Sequence, residues 1–319
     1  MTTLWDTTGT DVVKALGVER QRGGSVASGL ALTLVVVVDE KRVSEAELAA
    51  TRAAAQHPCR LLVVVRRRPD APEPRLDAEV LIGGRLGPGE AVVMRMYGRL
   101  ALHAESVVLP LLAPDAPIVT WWCGAPPELI AHDPLGVFAD RRVTDCQAAS
   151  DPAAALAQRA ADYAPGDTDL AWARTTLWRG LCAAAFDSVE GTPVAVAVTG
   201  ESGNPSRALL AGWLSSRLGL EVSQADSAGP GVTEVAFDLR DGQLRLTRQD
   251  GRMATLVRTG QPDRVMPLPR RDLGELMAEE LRRLDADETY AGALAAATGH
   301  PPLPDDPIVR AHIWQDPTQ

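Results

Sequence analysis

The chain has 319 residues, 45% of them hydrophobic and 23% charged, enough to build the cores of two globular domains. Its 42 acidic residues against 32 basic ones leave a net charge of −10, which argues against a general nucleic-acid or anionic-membrane binder. The longest apolar run, Leu30 to Val38, is too short to span a bilayer, and no basic-then-apolar leader opens the sequence. The cysteines, at 59, 123, 146 and 182, lack metal-binding spacing, so reduced thiols and a cytoplasmic protein without a metal are expected.

Leu30–Val38 is β-branched and apolar on both faces, the pattern of a buried central strand. A helix over Ser44–Gln56 follows, with Ser44 and Glu47 spaced as a capping box. Arg60–Val65 is a second buried strand, and together the three form a βαβ unit with a parallel pair. Strands are predicted at 78–82, 91–97, 117–123 and 140–146, with a helix at 99–112 and another capped by Asp151-Pro152. Tyr163–Thr168 reads as a linker, which puts an N-terminal α/β domain at 1–165 and a C-terminal α+β domain at 166–319. The second half then holds a strand from Pro193 to Val198 and a helix from Pro205 to Leu218. An antiparallel meander turning at Asp241-Gly242 and Asp250-Gly251 comes next, then an acidic helix opened by Asp272 and a Pro-rich extended tail from Pro301.

Two tryptophan-bearing segments stand out in a chain that is otherwise poor in aromatics. One is strand-like, Pro117–Gly124, with Trp121 and Trp122; the other is helical, Asp169–Gly180, with Trp172, Arg174, Trp178 and Arg179. On a helix, Leu170, Ala173, Leu177, Leu181 and Ala184 form a core stripe, while Trp172, Arg179 and Phe186 fall almost opposite. A helix apolar on two sides needs two covers. Packing within the same chain is the commoner fate of large aromatics, but Trp and Arg are also enriched in binding hot spots. The seven residues Trp121, Trp122, Trp172, Arg174, Trp178, Arg179 and Phe186 are therefore the candidate partner-binding or interdomain set.

Thr199–Arg207 joins a strand to a helix, where backbone amides can hold an anion; Gly200, Ser202, Gly203, Asn204, Ser206 and Arg207 are the candidate residues. The segment lacks the Gly-Lys-Ser/Thr of a phosphate loop and the spacing of a nucleophile elbow, and Asn204 and Pro205 are accounted for as helix cap and first turn. Gly83–Gly89 is out of register for a dinucleotide fingerprint and reads as a turn. Arg66-Arg67-Arg68, at the end of a strand, could contact a phosphate or a partner, though such runs are more often a solvated exit from the sheet. No histidine spacing fits a metal, and no carboxylate pairing identifies an acid and a base, so no catalytic residue is assigned.

Pro117–Pro127 with its double tryptophan, Asp169–Arg179, and the Thr2–Thr7 segment near the start together resemble the glucose-6-phosphate dehydrogenase assembly protein (OpcA) family over essentially the whole chain. The resemblance implies a non-catalytic, cofactor-free accessory protein whose partner is glucose-6-phosphate dehydrogenase. Such a protein promotes assembly and acts as an allosteric activator at the head of the oxidative pentose phosphate pathway. In photosynthetic relatives the family is linked to redox control through cysteines, but no cysteine pair here matches that role. Two other readings stand beside it. One is a phosphosugar- or nucleotide-binding enzyme using the 199–207 turn; the other is an adaptor for a different oligomeric enzyme.

Overall fold

The computed structural model describes residues 1–22, 30–83, 89–186, 193–248 and 250–304. The chain divides into two compact units, one of Met1–Thr144 with Asp272–Ala286, the other of Asp145–Arg271 with the described residues from Asp287 onward.

The first unit opens with β1 (Thr2–Leu4) and α1 (Gly9–Arg22), then runs β2 (Leu32–Asp39), α2 (Val43–Gln56), β3 (Cys59–Arg67), β4 (Arg75–Ile82) and β5 (Glu90–Tyr97). A short helix α3 (Glu105–Val108) leads to β6 (Ile118–Cys123) and β7 (Arg141–Thr144). Within this unit the strands lie in the order β1-β4-β5-β3-β2-β6-β7. The five from β5 to β7 are parallel, and β4 and β1 are added antiparallel at one edge. The expected βαβ unit is present, with Leu32–Asp39 paired residue for residue to Cys59–Arg66. The valine runs have a plain cause. On one face Val35, Val37, Leu62 and Val64 pack with Val12 and Leu16 of α1 and with Val107 and Val108 of α3. Helix α2 packs against β2 and β3, turning Ala46, Ala50, Ala53 and Ala54 inward, so both faces of these strands are buried.

Two local expectations change. Helix α2 starts one residue early, at Val43, with no side-chain cap, so Ser44 and Glu47 do not form a capping box. The Asp39 carboxylate accepts from the amides of Lys41 and Arg42 at 2.9 and 3.2 Å and sets the turn into the helix instead. The helix predicted at 99–112 is broken into two short 3₁₀ turns around α3, and Pro110, which has no amide to donate, ends the α-helical stretch at Val108. Residues 84–88 of the Gly83–Gly89 turn lie outside the described residues, as does the tail from residue 305.

The second unit contains α4 (Pro152–Ala161), β8 (Asp167–Asp169), α5 (Leu170–Ala173), α6 (Thr176–Phe186), β9 (Ala195–Glu201) and α7 (Pro205–Leu218). After these come β10 (Val222–Ser227), β11 (Val232–Leu239), β12 (Gly242–Thr247), β13 (Met253–Arg258) and β14 (Arg264–Pro267). They form a six-stranded sheet in the order β10-β9-β11-β12-β13-β14, parallel only between β10 and β9. The rest is the antiparallel meander read from the two Asp-Gly turns. Alternation puts Val196, Val198, Val235, Phe237, Leu244 and Leu246 on the core face, against Leu210 and Leu214 of α7. Asp151 and Asn204 cap α4 and α7 by accepting from Ala154 N and Arg207 N. The segment expected as a linker is packed: Tyr163, Ala164, Asp167 and Thr168 are all buried.

Helix α8 (Leu273–Glu280) belongs to the first unit although it lies late in the sequence. It opens with a full capping box between Asp272 and Glu275 and packs on α2. At the contact, Gly274 lies so close to α2 that an added Cβ would sit 2.8 Å from Arg52 Cβ and 3.1 Å from the Ala49 carbonyl. Glu280 at its end accepts from Arg141 of β7 at 2.6 Å, with both side chains 4% exposed. Helix α9 (Glu288–Thr298) then completes the second unit against α7.

Candidate functional site

The Trp–Arg set is organised by a carboxylate that sequence reading did not single out. Asp169 is fully buried and caps α5: its Oδ1 accepts from Ala171 N at 2.8 Å and its Oδ2 from Cys146 N at 2.9 Å. Next to Cys146, Asp145 takes both terminal nitrogens of Arg174, at 2.7 and 2.8 Å, in a bidentate pair. Burial works against the Arg174 charge, but hydrogen bonding and attraction from Asp145 outweigh it and raise its pKa.

Asp169–Gly180 is not one helix. Between α5 and α6 the chain tightens, with Thr175 N donating to Trp172 O and the Thr175 hydroxyl closing on the same carbonyl. That break removes the register on which a two-sided helix depends. Trp172 and Phe186 do not share a face. Trp172 is 2% exposed, packed with Tyr163, Leu209 and Tyr290, and its Nε1 donates to Asp287 at 2.8 Å. Arg179 lies flat over the Trp172 ring, 3.6 Å from its centroid, held there by Thr175 and Thr176 hydroxyls. Phe186 instead meets Phe237 edge to face at 4.7 Å, in the sheet core that also holds Trp178.

The expected core stripe is also rotated. The buried face of α6 is Trp178, Cys182 and Ala185, whereas Leu177 and Leu181 are half-buried and Ala184 is exposed. Trp121 and Trp122 on β6 are fully buried, and Trp122 joins the first unit's core. All four tryptophans are thus interior side chains, while Phe186 is half-buried.

The 199–207 turn is closed by its own groups. Asn204 Nδ2 donates to Gln147 at 2.8 Å and Glu201 accepts from Gly231 N at 3.1 Å. Arg207 donates to the carbonyls of Gly200 and Ala225 and to the Asp226 carboxylate at 2.5 Å. Ser202 and Gly203 are exposed, while Gly200 and Ser206 are buried. One arginine faces two carboxylates, a poor field for an anion.

The four cysteines are free and buried. Burial pushes the thiols of Cys59 and Cys182 up to about 12, and burial followed by the nearby Asp169 charge raises that of Cys146. Thiols held so far from the thiolate form react slowly. In the native protein at pH 7.5, iodoacetamide should label these three at less than a tenth of the rate of an exposed thiol, and rapidly once denaturant is added. Mass spectrometry of digests checks this; fast native labelling of any of the three would contradict it. Among the described residues no group of three or more His, Cys, Asp or Glu side chains could hold a metal ion, and no helix is long and apolar enough to cross a membrane.

Asp145, Asp169 and Asp287 have no local signal beyond helix capping, since their partners lie 29, 23 and 115 residues away. The cap positions of Asp169 before Leu170 and of Asp287 before Glu288 are the local patterns that could have pointed to two of them.

Residues 50–161 match the family described as the glucose-6-phosphate dehydrogenase subunit N-terminal domain, and residues 165–294 match its C-terminal domain. A putative OxPP cycle protein OpcA from Synechococcus elongatus is 32% identical over 219 residues, covering 66% of this chain and 47% of that protein. The chain thus spans about half the length of the curated relative it matches. Among solved structures, a 3-ketoreductase from Actinomadura kijaniata in complex with TDP-benzene and NADP is similar at 13% identity and a TM-score of 0.43, over 84% of this chain and 95% of that one. An inositol dehydrogenase homolog from Azotobacter vinelandii complexed with NADH and myo-inositol gives 11% and 0.39, over 83% and 86%. At those scores neither bears on function. By sequence, over both halves, the chain belongs to the glucose-6-phosphate dehydrogenase assembly (OpcA) family.

Proposed function

We propose that this protein is a non-catalytic accessory subunit that binds glucose-6-phosphate dehydrogenase in the cytoplasm and promotes its assembly and activity. The observation that carries this reading is the match of both halves of the chain to domains named for that enzyme's subunit. The burial of the signature tryptophans supports a particular version of it. In that version Trp172, Trp178, Arg174 and Arg179 act as internal supports that fix the surface of the second unit, and the dehydrogenase contacts that surface rather than the rings.

Mixing the purified chain with the dehydrogenase should produce a heavier species by light scattering and shift the enzyme's KM or maximal rate. The chain alone should reduce no NADP. Unchanged mass and kinetics in the mixture, or turnover by the isolated chain that survives removal of trace enzyme, would sink the proposal.

A further inference from the structure

Arg66-Arg67-Arg68, a charge run with no place in the reading above, ends β3 in the middle of the first unit's parallel sheet. Ladder pairing sets Arg66 beside Asp39 at the end of β2 and Arg67 beside Tyr97 at the end of β5. Three adjacent parallel strands therefore deliver their carboxyl ends to one place, the edge at which open α/β sheets take ligands. A cavity of about 560 Å³ lies there, lined by Lys41, the three arginines and Tyr97, with Asp39 and Glu40 as its acidic members. That volume falls within the range typical of small-molecule sites.

The charges do not cancel. Arg67 is occupied by Glu40, with contacts of 2.5 Å, and by the Tyr97 hydroxyl at 2.6 Å. Asp39 is engaged with the amides of Lys41 and Arg42 at the entrance to α2, which also closes that helix start to an outside anion. Arg66 reaches Asp133 only at 3.7 Å, and its Nε is buried without a hydrogen-bond partner. Lys41 and Arg68 are exposed, and neither is paired with a carboxylate among the described residues. A chain of net charge −10 thus concentrates three weakly compensated cations around one cavity.

The backbone pays a conformational cost to keep Arg68 there. Its φ is +37°, a left-handed value unfavourable for a side-chain-bearing residue, and it also precedes Pro69. Amides of Ala71 and Gly98 lock its carbonyl at 2.9 and 3.1 Å. Gly98, at φ +58°, has no room for a Cβ, which would lie 2.8 Å from the carbonyl oxygens of Ala71 and Glu73. The result holds the Arg68 guanidinium 6.0 Å from the Tyr97 ring centroid, alongside Arg67 at 5.7 Å. Strain that surrounding contacts enforce is a mark of a working position.

We propose that this edge is a binding site for a small phosphate monoester, with Lys41, Arg66 and Arg68 as its ligands and Tyr97 as the platform that positions the arginines. The site lies within one unit and does not depend on the dehydrogenase reading, so the test uses the full chain alone. Calorimetric titration with glucose 6-phosphate should show saturable binding, and titration with glucose should show none. Affinity should increase several-fold from pH 5 to pH 7, as the phosphate loses its second proton near a pKa of about 6. Combined K41A and R68A substitutions should weaken binding at least tenfold with the melting temperature unchanged, because both side chains are exposed. Absence of binding by glucose 6-phosphate and inorganic phosphate alike, binding unaffected by the double substitution, or at least tenfold tighter binding of a phosphopeptide would overturn the proposal.

Discussion

Trp172→Ala should destabilise the protein by about 3–5 kcal/mol, the range for truncating a buried large aromatic, read as a lower urea midpoint with an unchanged slope. Three losses coincide at this site. The indole gives up its packing in the cluster with Tyr163, Leu209 and Tyr290, Asp287 loses the Nε1 donor, and the Arg179 guanidinium loses the ring it lies on. If the tryptophan acts as an internal support, dehydrogenase binding should fall together with melting temperature. Binding lost at a normal melting temperature would instead identify the ring as a direct contact, and no change in either would mean that the cluster is dispensable. Trp172→Phe, which keeps an aromatic for Arg179 but not the donor, should recover part of the stability.

Glu90→Ala should cost a comparable amount, about 3–5 kcal/mol, because it breaks a buried ionic cluster by removing its centre. Glu90 is fully buried and joins two arginines. Arg20 donates at 2.6 and 2.9 Å and Arg60 at 2.8 Å, while Arg60 also donates to the Leu111 carbonyl. Without Glu90, the nearly buried Arg60 would keep its charge and lose its counter-ion. Burial raises the Glu90 pKa, but the hydrogen bonds and charges of Arg20 and Arg60 outweigh it, and the net shift is downward. A carboxylate with a folded pKa below its unfolded one contributes stability above the unfolded value and loses it as pH falls through the folded value. The wild-type advantage over Glu90→Ala should therefore be full at pH 7 and shrink below about pH 4. Denaturant melts of both proteins from pH 7 down to pH 3 measure this, and a gap independent of pH would refute the ionic account.

These residues show what the sequence could and could not convey. Val35–Val38 and Leu61–Val65 announce buried parallel strands because both faces of the strand are apolar, and burial on two sides leaves that mark directly. Asp151, Asn204 and Asp272 cap their helices as read, since capping is a three-residue geometry. The Asp169–Phe186 projection failed because one tightened turn at Arg174–Thr175 rotates everything after it, and periodicity assumes a helix without breaks. Ser44 and Glu47 had the right spacing for a box, but Asp39 had already fixed the helix start from the preceding strand. The seven Trp, Arg and Phe residues of the candidate set were conspicuous, yet their partners Asp145, Asp287 and Tyr290 were set by tertiary folding, which leaves no local trace. Likewise the arginine run at 66–68 was visible as charge, whereas its convergence with Tyr97 is a product of strand order.

The late placement of α8 has a consequence for biogenesis. On a ribosome the chain emerges from its N-terminus, and domains generally fold as units as they appear. Residues 1–144 leave the exit tunnel long before 272–286, yet the latter supply α8, whose Gly274 closes on α2, and the Glu280 that neutralises Arg141. Throughout synthesis of the intervening 127 residues, from Asp145 to Arg271, the side of α2 at Ala49 and Arg52 and a cationic side chain on β7 wait without their cover. The nascent first unit is therefore an unfinished body for that whole interval, and its completion is timed by translation of a segment encoded well downstream of it.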